Sequence, residues 1–250
     1  MSRWMSWTEV NSLLSSMPSE RLALLEEQAK RAFDTKVAGE KLWTYYPDDG
    51  PLRRELYPKH IAFFAAGKQH RERAVLAGNR TGKTEGIGGF EVALHLTGLY
   101  DEFPWWPGHK FDKPTNWLCG GDTSSTTRDI LVRKMLGPPE ARGTGLIPRE
   151  AIVDMRPYTG IPGHIDYALI RHASGGESVL QFRSYDQGRQ AWQGTERDGC
   201  WMDEEPPMDI YVEALMRTMT TQGMILCTFT PLMGLTDVAL SFMPEMAPAA

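Results

Sequence analysis

The chain has 250 residues, 41% hydrophobic and 24% charged, which is ordinary for a globular protein able to bury a sizeable core. No apolar run approaches the length needed to cross a bilayer, and no signal-peptide pattern opens the chain, so no membrane role is expected. The formal net charge of −5 gives no support for strong nucleic-acid binding by the isolated chain, because phosphate contacts draw on Lys and Arg.

Taken in order, the segment to about Asp49 reads as mainly helical. Leu13 and Leu14, then Leu22, Leu24, Leu25 and Ala29, suggest two short amphipathic helices divided at Met17, Pro18 and Ser19. Residues 42–47 read as a linker packed on the core, which gives a helical extension over 1–55 and a main domain over 56–250. A helix over 58–66 precedes the apolar run 74–77, a strand. A helix over 83–97 follows, its glycines Gly86, Gly88 and Gly89 lowering propensity but permitting close approach to a sheet. The loop 103–108, rich in Trp and Pro, reads as a rigid aromatic surface packed on the domain. Residues 116–121 form a strand, 137–163 an irregular insertion, and 165–172 with 178–185 a hairpin turning at Ser174, Gly175 and Gly176. The basic clusters 68–73 and 128–134 read as solvated faces. Two more apolar strands cover 200–202 and 224–229. Cys119, Cys200 and Cys227 sit in or beside apolar strands, which predicts buried reduced thiols. Neither they nor the scattered histidines have zinc-ligand spacing.

The chemistry concentrates at three strand ends. The run Ala77, Gly78, Asn79, Arg80, Thr81, Gly82, Lys83, Thr84 follows a strand and opens a helix. That is the pattern of a phosphate-binding loop: Gly78 and Gly82 let backbone N–H groups converge into an anion nest, and the helix adds its positive end. Lys83 is placed to reach the β- and γ-phosphates of a nucleotide, and the Thr84 hydroxyl to ligate Mg²⁺. The pattern ordinarily opens with Gly; Ala77 is tolerable if only the second position needs unusual backbone angles. Downstream, the strand at Cys200 ends in Asp203, Glu204 and Glu205 and is stopped by Pro206 and Pro207. Adjacent residues on a strand point to opposite sides, so Asp203 can face a metal while Glu204 polarises a water. The third strand ends in Thr230 and Pro231, where Thr230 can sense the γ-phosphate.

Together these residues resemble the large terminase subunits of tailed bacteriophages. The resemblance runs from about Leu56 to Gly234 and includes 57–64, the loop with its Arg80, 117–122, 185–194, 201–206 and 228–231. The resemblance implies a P-loop α/β fold with a mostly parallel sheet flanked by helices. It implies an ATPase that couples hydrolysis of ATP, with Mg²⁺, to translocation of double-stranded viral DNA. Partners would be the portal protein and the small terminase subunit, with a homo-oligomeric ring in the host cytoplasm. Terminases usually carry a glutamine upstream of the loop that reads adenine; the corresponding place here holds His60, with Gln69 nearer the loop. Arg80 in the loop, and Arg189 as a finger reaching a neighbouring subunit, are the candidates for charge compensation. Arg189 could equally pair with Asp186. The chain ends soon after Pro231 with no later acidic cluster, so no nuclease activity is expected from this polypeptide. A helicase-like or repair ATPase, and a nucleotide-binding assembly module, share the phosphate loop and remain alternatives.

Overall fold

The computed structural model describes residues 17–19, 21–24, 27, 40–232, 234 and 236–243. Its strands are β1 Glu72–Leu76, β2 Asn116–Gly121, β3 Ile152–Pro157 and β4 Ile165–Arg171. β5 Glu177–Ser184, β6 Gly199–Asp203 and β7 Met224–Phe229 complete one sheet, ordered β1-β7-β6-β2-β5-β4-β3. The first five in that order are parallel, and β4 and β3 add an antiparallel edge. β6 and β7 are buried along their whole length, which is why they read as continuous apolar runs rather than alternating ones.

Helix α1 is Pro58–Ala66, with proline at its first position, where the missing N–H costs nothing. Helix α2 is π-wound over Lys83–Gly89 and α-helical over Phe90–Thr97. Its glycines work as steric relief. A Cβ on Gly88 would stand 2.3 Å from the Trp201 indole of β6, so α2 lies flat on the sheet only because residue 88 has no side chain. Helix α3 is continuous through Ser124–Thr126, Thr127–Val132 and Arg133–Leu136. α4 is Met208–Met219 and α5 is Asp237–Ser241.

The sheet carries a core on each face. One packs α2 and α3 residues such as Phe90 and Met135 on Trp117, Phe182 and Trp201; the other packs Ile210, Ala214 and Val238 on Cys200, Met202 and Cys227. The three cysteines are buried free thiols. The segment 42–47 is built into the first core: Leu42 and Tyr46 are buried, Tyr46 against Phe64 and Phe90. Phe103 and Trp106 are also buried there, so the aromatic loop packs inward.

Two parts differ from the sequence reading. The stretch 137–163 is not wholly irregular: β3 lies in it, paired to β4 with register shifts on either side of 154–156. Arg73 does not belong to a solvated face. It is buried on β1 and donates to both carboxylate oxygens of Glu91 on α2, at 3.1 and 2.7 Å. Of the expected N-terminal helices, residues 19, 21–24 and 27 are helical; Leu13, Leu14, Leu25 and Ala29 lie outside the described residues.

Candidate nucleotide site

At the carboxyl ends of β1, β7 and β6 three loops meet. Ala77 N–H is hydrogen-bonded to Phe229 O (3.3 Å), tying the start of the phosphate loop to β7. The loop turns through two left-handed residues, Arg80 (φ 62°) and Gly82 (φ 84°). The second agrees with the sequence reading, but the first falls on Arg80 rather than Gly78. Gly78 and Ala77 both lie outside the left-handed region, so alanine at 77 brings no backbone strain. Arg80 is exposed, and its left-handed backbone costs about 1–2 kcal/mol.

Lys83, the first residue of α2, is buried under this loop. Its Nζ donates to Gly78 O (3.2 Å) and to Thr230 Oγ1 (2.7 Å). The Thr230 hydroxyl in turn lies 3.0 Å from Ala77 O and 3.1 Å from Asn79 Oδ1. The tip of β7 is therefore wired to the loop through the same lysine that would meet phosphate. Thr84 Oγ1 donates to Asp203 Oδ2 (3.2 Å), which brings the end of β6 to the start of α2. A hydroxyl and a carboxylate side by side are hard oxygen donors of the kind Mg²⁺ takes.

Asp203 is held on its other oxygen as well. Trp201 Nε1 donates to Thr228 Oγ1 (2.9 Å), and Thr228 donates to Asp203 Oδ1 (2.7 Å). Burial pushes the Asp203 carboxyl up to about 6, opposed by the two hydroxyl donors and reinforced by neighbouring Glu204. In the sequence Thr228 and Trp201 stand only within the runs 228–231 and 201–206 that carry the family resemblance, with no part of their own in holding Asp203; Thr228 lies on β7, and Thr230 just past its end.

Glu204 departs from simple strand alternation. Its φ is 62°, so the chain leaves β6 in a left-handed kink. The kink is clamped by Glu204 N–H to Thr228 O (3.0 Å) and by the Tyr185 hydroxyl, shared between the carbonyls of Asp203 (3.1 Å) and Glu204 (3.0 Å). No hydrogen bond or ion pair engages the Glu204 carboxylate among the described residues, in contrast to Asp203. Glu205 is tied instead to Thr236.

A cleft of about 380 Å³ continues from residues 80–84 toward Tyr45, Tyr57 and His60. His60 Nδ1 is 2.8 Å from the Tyr46 hydroxyl, which donates to Gly86 O at 2.6 Å, and burial lowers the His60 pKa. Gln69 is exposed and does not line the cleft. Arg189 pairs neither with the loop nor with Asp186. Its Nε donates to Glu213 on α4 (2.8 Å), while Asp186 accepts from Ser124 and Ser184.

Residues 74–247 match the family described as terminase large subunit, T4likevirus-type, N-terminal. The chain belongs to this terminase family. Over 205 residues this terminase chain is 38% identical to the large terminase subunit of Salmonella phage P22, an alignment that covers 75% of the chain and 41% of that protein. It thus spans less than half the length of this relative. The large terminase of a thermophilic bacteriophage, solved in complex with ADP, aligns at 16% identity and a TM-score of 0.43, over 68% of this chain and 38% of that one. Among the described residues of the terminase chain, no helix is long and apolar enough to cross a membrane.

Proposed function

We propose that this chain is the ATP-hydrolysing motor part of a viral DNA-packaging terminase, coupling hydrolysis to translocation of double-stranded DNA into a procapsid. The observation that carries the reading is the convergence of Lys83, Thr84, Asp203 and Thr230 at the carboxyl ends of neighbouring strands, each in hydrogen-bonding contact with another. Residues 77–84 would hold the phosphates in the loop's backbone N–H groups, with Lys83 exchanging Gly78 O and Thr230 for phosphate oxygens. Magnesium, held by Thr84 and Asp203, would supply neutralising charge at the β- and γ-phosphate oxygens. Glu204, its carboxylate unengaged, would orient and deprotonate the attacking water. Thr230, bonded to Lys83, would register loss of the γ-phosphate.

His60, beside Tyr57 in the cleft, is the residue on this chain that would face the base. Arg80 would compensate charge within the subunit. Arg189 would do so for a neighbour by leaving Glu213, and mixing Arg189→Ala chains with wild-type chains tests it: the variant should fail to stimulate partners yet remain stimulated by them. The reading places the chain in the host cytoplasm with portal protein, small terminase subunit and double-stranded DNA, as a ring, with 1–55 as an extension and 56–250 as the motor domain. It assigns no nuclease step to this polypeptide; plasmid cleavage by the pure protein that EDTA abolishes would contradict that.

The direct test is phosphate release from Mg²⁺-ATP as protein concentration rises, beside Glu204→Gln. Turnover per subunit that climbs with concentration and vanishes in the variant supports a motor completed between neighbours. Nucleotide binding without Glu204-dependent turnover, even with portal and DNA present, would leave an assembly module instead.

A further inference from the structure

We propose that Tyr185 is a positioning residue for the hydrolysis assigned to this site: its hydroxyl fixes the backbone that aims the Glu204 carboxylate. This rests on Glu204 being the base of an ATP-hydrolysing site. The chain leaves β6 at Glu204 with φ 62°, in the left-handed region that a side chain makes costly. A residue stays there only when its surroundings over-determine it. Glu204 N–H donates to Thr228 O at 3.0 Å, which holds one edge of the peptide joining 203 and 204. The opposite edge of that peptide, Asp203 O, accepts from the Tyr185 hydroxyl at 3.1 Å. The next carbonyl, Glu204 O, accepts from the same hydroxyl at 3.0 Å. Both rigid peptide planes that flank the Glu204 Cα are thereby held, and together they set the direction of its Cα–Cβ bond. Among the described residues no hydrogen bond or ion pair holds the carboxylate itself, so the backbone is what aims it.

Tyr185 stands just past β5, and β2 lies between β5 and β6 in the sheet, so the phenol spans the end of a whole strand to reach Glu204. Its ring is 6% exposed and packs on Trp192, with ring centroids 5.6 Å apart. Gly120 on β2 makes the room: a Cβ there would stand 2.5 Å from the Trp192 ring. Burial raises the Tyr185 pKa well above its ordinary value, which keeps the hydroxyl a donor. A phenylalanine ring would fill the same space; only the hydroxyl reaches the two carbonyls. Asp203 has separate support. It pairs with Thr228 in the β6–β7 ladder, and its carboxylate oxygens take the Thr228 and Thr84 hydroxyls. Loss of the Tyr185 hydroxyl therefore falls on Glu204 rather than on the groups assigned to Mg²⁺.

The test is a double-mutant cycle in the full chain, Tyr185→Phe and Glu204→Gln alone and together, read as kcat and KM for Mg²⁺-ATP. Tyr185→Phe should lower kcat about 10- to 100-fold, the cost of misplacing a catalytic group by about an ångström. KM and the Mg²⁺ concentration for half-maximal rate should not change. In the Glu204→Gln background the same substitution should cost less than about twofold, because no base is left to aim. A hydroxyl that only stabilised the fold would lower the rate by the same factor in both backgrounds. That result, or wild-type kcat in Tyr185→Phe, overturns the clamp and leaves the assignment of Glu204 standing. Turnover indifferent to Glu204→Gln, or absent from wild type, overturns that assignment and the clamp with it.

Discussion

Asp203 is set in place before any ligand arrives. One oxygen takes the Thr228 hydroxyl, itself oriented by the Trp201 indole, and the other takes Thr84. A buried carboxylate deprived of one donor loses about 1–3 kcal/mol. Thr228→Val, close in shape, should therefore lower the urea-unfolding midpoint and slow ATP turnover, while Thr228→Ser restores both. Unchanged turnover in Thr228→Val would show that the Thr84 contact alone suffices to aim Asp203. Glu204 is the opposite case, a carboxylate left unengaged on a left-handed residue that neighbours clamp. Glu204→Gln keeps size and backbone but cannot take a proton. Turnover should fall by about 10²–10⁴-fold, the range for losing a general base, with nucleotide affinity retained. Near-normal turnover would move the base elsewhere, although Glu205 is already engaged by Thr236.

Helix α2 shows why some of this was legible in sequence and some was not. The loop that opens it, the buried strands β6 and β7, and the β4–β5 hairpin all announce themselves through local pattern: glycines at a turn, unbroken apolar runs, an alternating pair of strands about a Ser-Gly-Gly turn. The glycine cluster permits close approach to the sheet, and Gly88 against Trp201 is that contact. Gly88→Ala should cost about 1–3 kcal/mol, the usual penalty for overpacking, and shift Trp201 fluorescence; an unchanged unfolding midpoint would mean α2 can lift off the sheet freely. The Arg73–Glu91 pair was not legible. Its partners are 18 residues apart on different elements, and each alone resembles a surface charge. His95 adds a contact to Glu91 at 3.2 Å and another to the Tyr100 hydroxyl at 2.8 Å. Removing the acid strands a buried guanidinium, so Glu91→Gln should destabilise by about 3–5 kcal/mol. β3 escaped for a different reason: its partly buried residues, Ile152 and Met155, stand three apart rather than two, and its ladder to β4 is broken by register shifts.

At the scale of the whole molecule, the histidines make stability depend on pH. Burial lowers the pKa of His60, His95, His109, His164 and His172 below the ordinary value near 6.5. Between each folded-state pKa and about 6.5 the unfolded chain binds more protons than the folded one, so stability rises with pH across that window and is lost as pH falls through it. Asp203 works against this trend. Its carboxyl, pushed up to about 6, keeps a proton in the folded state that the unfolded chain has released, and favours folding as pH drops from about 6 toward 4. One acid does not offset five imidazoles, so the unfolding free energy should decline as pH is lowered from 7 to 5. His164 isolates the effect. It is 1% exposed, packs against Tyr158, and neither ring nitrogen has a partner among the described residues. His164→Phe keeps the ring contact and removes both the buried polar atoms and the titration. Urea unfolding across this range should show the variant at least as stable as wild type at pH 7, with a slope shallower by up to one proton, about 1.4 kcal/mol per pH unit. Parallel profiles for the two proteins would mean His164 titrates alike in the folded and unfolded chains, and that its burial costs the fold nothing.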